Sequence, residues 1–139
     1  MSQGNKIADT ALMVPCNSEN FLKVWFELLR PVHKLTQRES DVAVLLVSRW
    51  YKLKETVKDD KQLNMLLFSA QTKKEMCEEL GMAKSHMSMV LSRLKQRMII
   101  KDGKLNYRYI PVYEEGVPYR LMFIMENAKA TRTDNQEDV

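Results

Sequence analysis

The stretch from Thr72 to Ile100 constrains this chain more than any other, because it meets the position-by-position demands of two short helices crossing steeply. Thr72 is a predicted N-cap, and Glu75 completes a capping box with it. Met76 and Leu80 form an inner face at helical spacing. Cys77 supplies a small side chain where the helices approach most closely. Gly81 follows the last apolar residue, where the backbone must adopt positive φ. Met82 plugs the turn, and Met87, Val90, Leu91 and Leu94 make the buried stripe of a second helix. The pattern predicts a helix-turn-helix.

The residues after this second helix predict a wing. Met98, Ile99 and Ile100 suit a short strand, and Asp102-Gly103 is a two-residue hairpin signal. Leu105, Tyr107 and Tyr109 alternate with Asn106 and Arg108, as a half-buried strand should, and Pro111 ends it. Upstream, Thr36 and Glu39 form a capping box that opens a helix running to about Lys54. Val42, Leu45, Leu46, Arg49 and Trp50 recur along it at helical spacing, with Val44 and Val47 widening the stripe. Phe21, Val24, Trp25, Leu28 and Leu29 predict an earlier helix that stops before Pro31, with a strand over Leu22–Phe26 as the alternative. A helical turn is expected at Gln62–Leu66 and a strand beside the wing at Leu67–Ser69.

The predicted fold is therefore mainly α with a small β wing: a winged helix-turn-helix core with extensions at both ends. Residues 1–17 read as an N-terminal arm, 18–112 as the winged domain with its N-terminal helix, and 113–139 as a C-terminal strand and polar tail. That strand is Tyr119–Met125, apolar on both faces, and either sandwiched within the domain or open for a partner to add to. Residues 1–9 and 127–139 are polar and predicted to be flexible outside an assembly.

With 139 residues and 45% apolar content, the chain supports one domain with a real core. Ten methionines point to adaptable apolar surfaces, although ordinary core filling accounts for most of them. The net charge is +4, and residues 72–110 alone hold nine Lys/Arg against four Asp/Glu. A basic winged helix suits nucleic acid, and equally a solvated surface or an acidic protein neighbour. Two cysteines make no disulfide framework, and two lone histidines without a Cys/His cluster argue against a metal site. No secretory leader or membrane-length apolar run is visible, so a reducing cytoplasm is the expected place of synthesis and folding. No phosphate-cradling loop, nucleophile motif or facing carboxylate pair is present; Glu78/Glu79 and Glu114/Glu115 are adjacent, so they point apart or sit in a loop. No catalytic residue, metal ligand or cofactor is expected, and the chain does not read as an enzyme.

The outward face of the second helix is Lys84, Ser85, Ser88, Met89, Ser92 and Lys95. Base readers reach groove edges with Arg, Lys, Asn and Gln, and Met89 occupies a position where a reader often carries arginine. Two readings stay open. One is a low-specificity DNA binder using Lys73, Lys74, Lys84, Ser85, Ser88, Arg93, Lys101 and Lys104, mostly on phosphates. The other is a packing module whose protein contacts are Met89, Ser92, Tyr119, Leu121, Phe123 and Met125.

Five segments together resemble a small winged-helix family from the structural gene blocks of crAss-like tailed bacteriophages. They are Pro31 to Glu39, Leu66 to Glu75, Glu79 to Gly81, Leu94 to Asp102 and Tyr109 to Pro111, within residues 20–112. The resemblance implies a virion structural protein, made in the host cytoplasm and built into the head-to-tail connector. There a winged helix packs against copies of itself and other virion proteins in a ring between portal and tail. The alternative is a cytoplasmic transcriptional or replication regulator that binds duplex DNA, with no membrane role in either case. The family usually carries Arg-Lys-Lys-Gly where this chain has Lys95-Gln-Arg-Met98. The missing glycine predicts a tighter helix-to-wing junction without positive φ.

Overall fold

The computed structural model describes residues 12–126; the ends expected to be flexible, 1–9 and 127–139, lie outside the described residues. Among these residues the chain is mainly helical, with six helices and one small two-stranded antiparallel sheet. The helices are α1 (Phe21–Leu28), α2 (Arg30–His33), α3 (Gln37–Thr56), α4 (Asp60–Leu67), α5 (Ala70–Leu80) and α6 (Lys84–Gln96). The strands are β1 (Ile100–Lys101) and β2 (Lys104–Leu105).

α3 is the central helix, packed against α1, α4, α5 and α6. It starts where the capping box predicts: Thr36 accepts from the Glu39 amide while the Glu39 carboxylate accepts from the Thr36 amide. Val42, Ala43, Leu46 and Val47 are fully buried along it. They meet Phe26 of α1, Leu63 and Leu67 of α4, Met76 of α5, and Met87 and Leu94 of α6 in one continuous cluster. Full burial of each such side chain stabilises by roughly 1.5–3 kcal/mol, so this cluster fixes the helix arrangement.

α1 is a helix, as the 3.6-residue periodicity favours. Pro31 does not end the helical path there; it sits at the start of α2, where its missing N–H costs nothing. Two side chains hold the turn into α3. Arg30 grips both Glu27 carboxylate oxygens at 3.0 and 3.1 Å and donates to the Leu35 carbonyl at 2.6 Å. His33 is buried, and its Nδ1 accepts from the Leu35 amide at 3.0 Å. That fixes the tautomer: Nε2 carries the proton and donates to the Phe26 carbonyl at 2.7 Å. Burial holds the imidazole pKa below its ordinary value.

Four expectations are corrected downstream. The stretch at Leu67–Ser69 is no strand, because Leu63 and Leu67 bury one face of a continuous helix, α4. α5 starts earlier than Thr72: Ser69 is its N-cap and accepts from the Thr72 amide, while Thr72 donates its hydroxyl back to the Leu66 carbonyl. Glu75 is therefore not a capping-box residue, and it pairs instead with Arg49 of α3 at 2.8 Å. The second hairpin strand stops at Leu105, and Tyr107–Tyr109 turn into a 3-10 helix that leaves Tyr107 exposed and Tyr109 buried. Tyr119–Met125 form neither strand nor helix.

The turn between α5 and α6 is as expected. Gly81 has φ +60°, and the Met82 amide closes back on the Cys77 carbonyl at 2.9 Å. Arg38 of α3 satisfies the Leu80 carbonyl at 2.6 Å. Cys77 and Leu80 pack against the core, and Met82 is buried.

The junction after α6 corrects the remaining expectation. Met98 has φ +65° although it is not glycine. α6 ends on the same bonding pattern as α5, with the Ile99 amide on the Leu94 carbonyl at 2.9 Å and the Met98 amide on the Lys95 carbonyl at 3.1 Å. Asn106 then locks the strained peptide by donating to the Met98 carbonyl at 2.8 Å. The hairpin turn itself has positive φ at Asp102 and Gly103, which suits the twist of paired strands. Asn64 of α4 is buried and accepts from the Leu105 amide at 3.3 Å, fastening the hairpin to the bundle.

Candidate functional site

α6 buries Met87, Val90, Leu91 and Leu94 and turns Lys84, Ser85, Ser88, Met89, Ser92 and Lys95 outward. Met89 is 71% exposed, a large apolar side chain amid serines. The fold provides this surface without prescribing its residues.

The basic residues are not equally available. Arg93 lies 3.8 Å from Glu39 of α3 and is drawn to the bundle side of α6. Lys104 is held 3.5 Å from Asp60 at the start of α4. Asp60 also accepts from the Tyr107 hydroxyl; that bond first, and Lys104 second, keep its carboxyl below the usual range. The same bond raises the Tyr107 phenol. Lys101 faces Lys104 directly across the hairpin, so two like charges sit side by side on exposed strands. Lys73, Lys74 and Lys84 are exposed, and no ion pair among the described residues engages them. On the α3 side of α5, Arg49 meets Glu75 and, at 3.8 Å, Glu79. Gln71 and then Arg49 hold Glu75 below the ordinary carboxylate range.

The C-terminal segment forms a second surface. Tyr113 packs on Phe21 of α1 with the rings tilted and their centroids 4.5 Å apart, and Tyr119 meets Phe21 and Trp25 edge-on at 5.3 and 5.5 Å. The Trp25 indole donates to the Tyr109 carbonyl at 3.3 Å, and the Tyr51 hydroxyl donates to the Pro111 carbonyl. Burial raises the Tyr51 phenol far above its ordinary value. Beyond Tyr119 the chain leaves this support. Leu121, Met122, Phe123, Ile124 and Met125 are all exposed, Phe123 at 86%.

An open groove of about 580 Å³ lies beside α1, lined by Val14, Val24, Leu28 and Val44 with Lys23, Glu27 and Asp41 among its polar residues. Sequence reading passed over it, yet α1 carries the signal. Within Phe21–Leu28 only Lys23 and Glu27 are polar, and a helix apolar nearly all round needs cover on more than one side. The aromatic anchoring of Tyr113 and Tyr119 was missed for a different reason, since it joins residues far apart in the chain.

Among the described residues no group of three His, Cys, Asp or Glu could hold a metal ion, and no helix is long and apolar enough to cross a membrane. Comparison with known proteins finds no family model, no curated protein and no solved structure that matches this chain.

Proposed function

We propose that this chain is a non-enzymatic structural protein of a tailed bacteriophage. In this reading α3, α5, α6 and the β1–β2 hairpin form a winged helix-turn-helix used for packing within a head-to-tail connector ring. The observation that carries the reading is the outward face of α6. It offers three serines and an exposed Met89 where a base reader needs arginine or an amide, and Arg93 is held by Glu39. Methionine adapts to varied apolar partners, which suits a protein contact. The resemblance of residues 20–112 to a connector family points the same way.

The paired lysines of the hairpin favour a second reading, a DNA-binding regulator. Lys101 and Lys104 face each other, and Lys73, Lys74 and Lys84 are exposed as phosphate-type contacts. Particle composition separates the two. Purified virions should contain the chain at the copy number of a ring, and duplex binding should be weak at physiological salt. Absence from particles, together with tight and steeply salt-dependent duplex binding that Lys84→Ala and Lys101→Ala weaken, would replace the first reading by the second.

A further inference from the structure

We propose that residues 112–119 are a releasable strap, which closes over one side of α1 and lifts off while the helical bundle stays folded. The inference is independent of the choice between packing and DNA binding. The near end of the strap is fixed: the Trp25 indole donates to the Tyr109 carbonyl at 3.3 Å, and the Tyr51 hydroxyl donates to the carbonyl of the buried Pro111. Beyond Pro111 the attachment changes in kind. Among the described residues, no backbone hydrogen bond joins residues 112–125 to the bundle, and the Val117 amide closes on the Glu114 carbonyl, at 3.1 Å, within the strap itself. Val112 is 86% exposed, and residues 114–118 are exposed throughout. Side chains hold the strap down. The Tyr113 ring lies against Phe21 and Tyr51, the Tyr119 ring against Phe21 and Trp25, and the Ser18 hydroxyl donates to the Glu115 carboxylate.

Phe21 shows what the strap covers. It is 8% exposed, yet it stands outside the continuous core cluster that takes in the other buried apolar residues. Its ring neighbours are Trp25, Tyr113 and Tyr119, so two of the three belong to the strap. Trp25 marks the boundary, since it is part of the core cluster and also meets Tyr119. Phe21, Val24, Trp25 and Leu28 recur at the spacing of a single helical stripe. The closed strap divides that stripe: Phe21 and Trp25 are buried, whereas Val24 is half-buried and Leu28 exposed. Lifting the strap bares Phe21 and one side of Trp25 and makes the stripe continuous. The strap is thus an autoinhibitory contact that withholds apolar surface. Its two states lie close in free energy, because ordering eight residues costs conformational entropy at each position and two tyrosine anchors supply most of the offset. Opening is therefore local and far easier than unfolding of the bundle.

The test follows the full wild-type chain through a urea series by aromatic NMR, far-UV circular dichroism and binding of an apolar dye. Without urea, the Tyr113–Phe21 and Tyr119–Trp25 ring proximities should be present. At low urea they should vanish and dye should bind, while the helical signal stays intact. A single transition in which ring proximities and helical signal are lost together overturns the proposal, because the strap is then part of the cooperative core. So do ring proximities that are missing without urea, because the strap is then not closed at all. A double variant, Tyr113→Ala with Tyr119→Ala, should reach the open state without urea. Its open fraction should rise about ten-fold or more, since each tyrosine loses two aromatic contacts. Its helical signal should melt within a few degrees of wild type, roughly as for a surface change. If the double variant fails to fold, the strap belongs to the core and the proposal falls, whatever the urea series shows.

Discussion

Met87 and Met89 lie two residues apart in α6 and obey different rules. One is 1% exposed and the other 71%. Roughly 200° of helical rotation separates them, enough to carry one into the core and the other into solvent. The inner residue belongs to the continuous core cluster that also holds Leu46, Met76 and Leu94, where a buried position demands an apolar side chain. Nothing in the fold specifies the outer one. An inward residue therefore reports on architecture, whereas an outward residue that architecture does not require reports on what the surface meets.

The widest gap between the two faces should appear in stability. Met87→Ala should cost about 2–5 kcal/mol, because the transfer energy is lost and a cavity remains. Met89→Ala should stay within about 0.5 kcal/mol of wild type. Urea unfolding with unchanged slope measures both, and comparable losses at the two sites would erase the distinction between the faces.

The core also contains a polar group, and acid probes it. His33 is buried neutral, and its ring nitrogens are fully engaged by the Leu35 amide and the Phe26 carbonyl. A second proton would have to go on Nδ1, directly against the Leu35 N–H. Its folded pKa is lowered. Below the unfolded value of about 6.5 the unfolded chain thus binds a proton that the native chain refuses. Stability is full above that pH and falls as the pH drops through it, by at most about 1.4 kcal/mol per pH unit. The depressed carboxyls, Asp60, Glu75 and Glu27, contribute stability that is lost only at lower pH, near and below ordinary carboxylate values. Between about pH 6.5 and 5 the slope therefore belongs to His33. His33→Gln should be less stable at neutral pH yet flat across that window; an unchanged slope would assign the proton elsewhere.

Smaller effects attend the end of α6, where the inner and outer faces meet. Met98→Gly should stabilise by up to about 1 kcal/mol, because glycine adopts positive φ without strain but loses more entropy on folding. Asn106→Ala should destabilise by about 1 kcal/mol or more, since it frees the Met98 carbonyl and removes the acceptor of the Arg108 amide. In the double variant glycine should recover more than it gains in the wild-type background, because the strained Met98 peptide that Asn106 restrains is then gone. Simple addition of the two single effects would mean that Asn106 does not hold Met98 in place.

Much of the bundle was legible because its signals are local. Thr36 and Glu39 name the start of α3, Gly81 marks the left-handed turn, and Asp102-Gly103 the hairpin. The errors share a cause, which is that two answers satisfied the same local chemistry. Ser69 and Thr72 are both hydroxyl residues three apart, and α5 uses both, one as cap and one as a tie to α4. A short apolar run at Leu66–Phe68 fits strand or helix until Leu63 extends it into a helical face. Met98 hides its conformation because the compensating residue, Asn106, lies across the hairpin. The candidate surfaces were less legible still. That Glu39 restrains Arg93 and Asp60 restrains Lys104 depends on how α6 and the hairpin pack against α3 and α4.

The smallest stability effect carries the most functional information. Met89→Arg puts a long cation where a base reader would want one and removes an exposed apolar contact. The side chain is in solvent, so unfolding should shift by no more than about 0.5 kcal/mol. The two functional readings then diverge. If α6 packs against protein, an arginine at the centre of that contact should reduce incorporation into particles while duplex affinity hardly changes. If α6 lies in a DNA groove, beside Lys84 and within reach of phosphates, the same arginine should tighten duplex binding and steepen its salt dependence by about one charge. Incorporation and salt slope can be measured on one stable protein, so neither outcome can be blamed on misfolding.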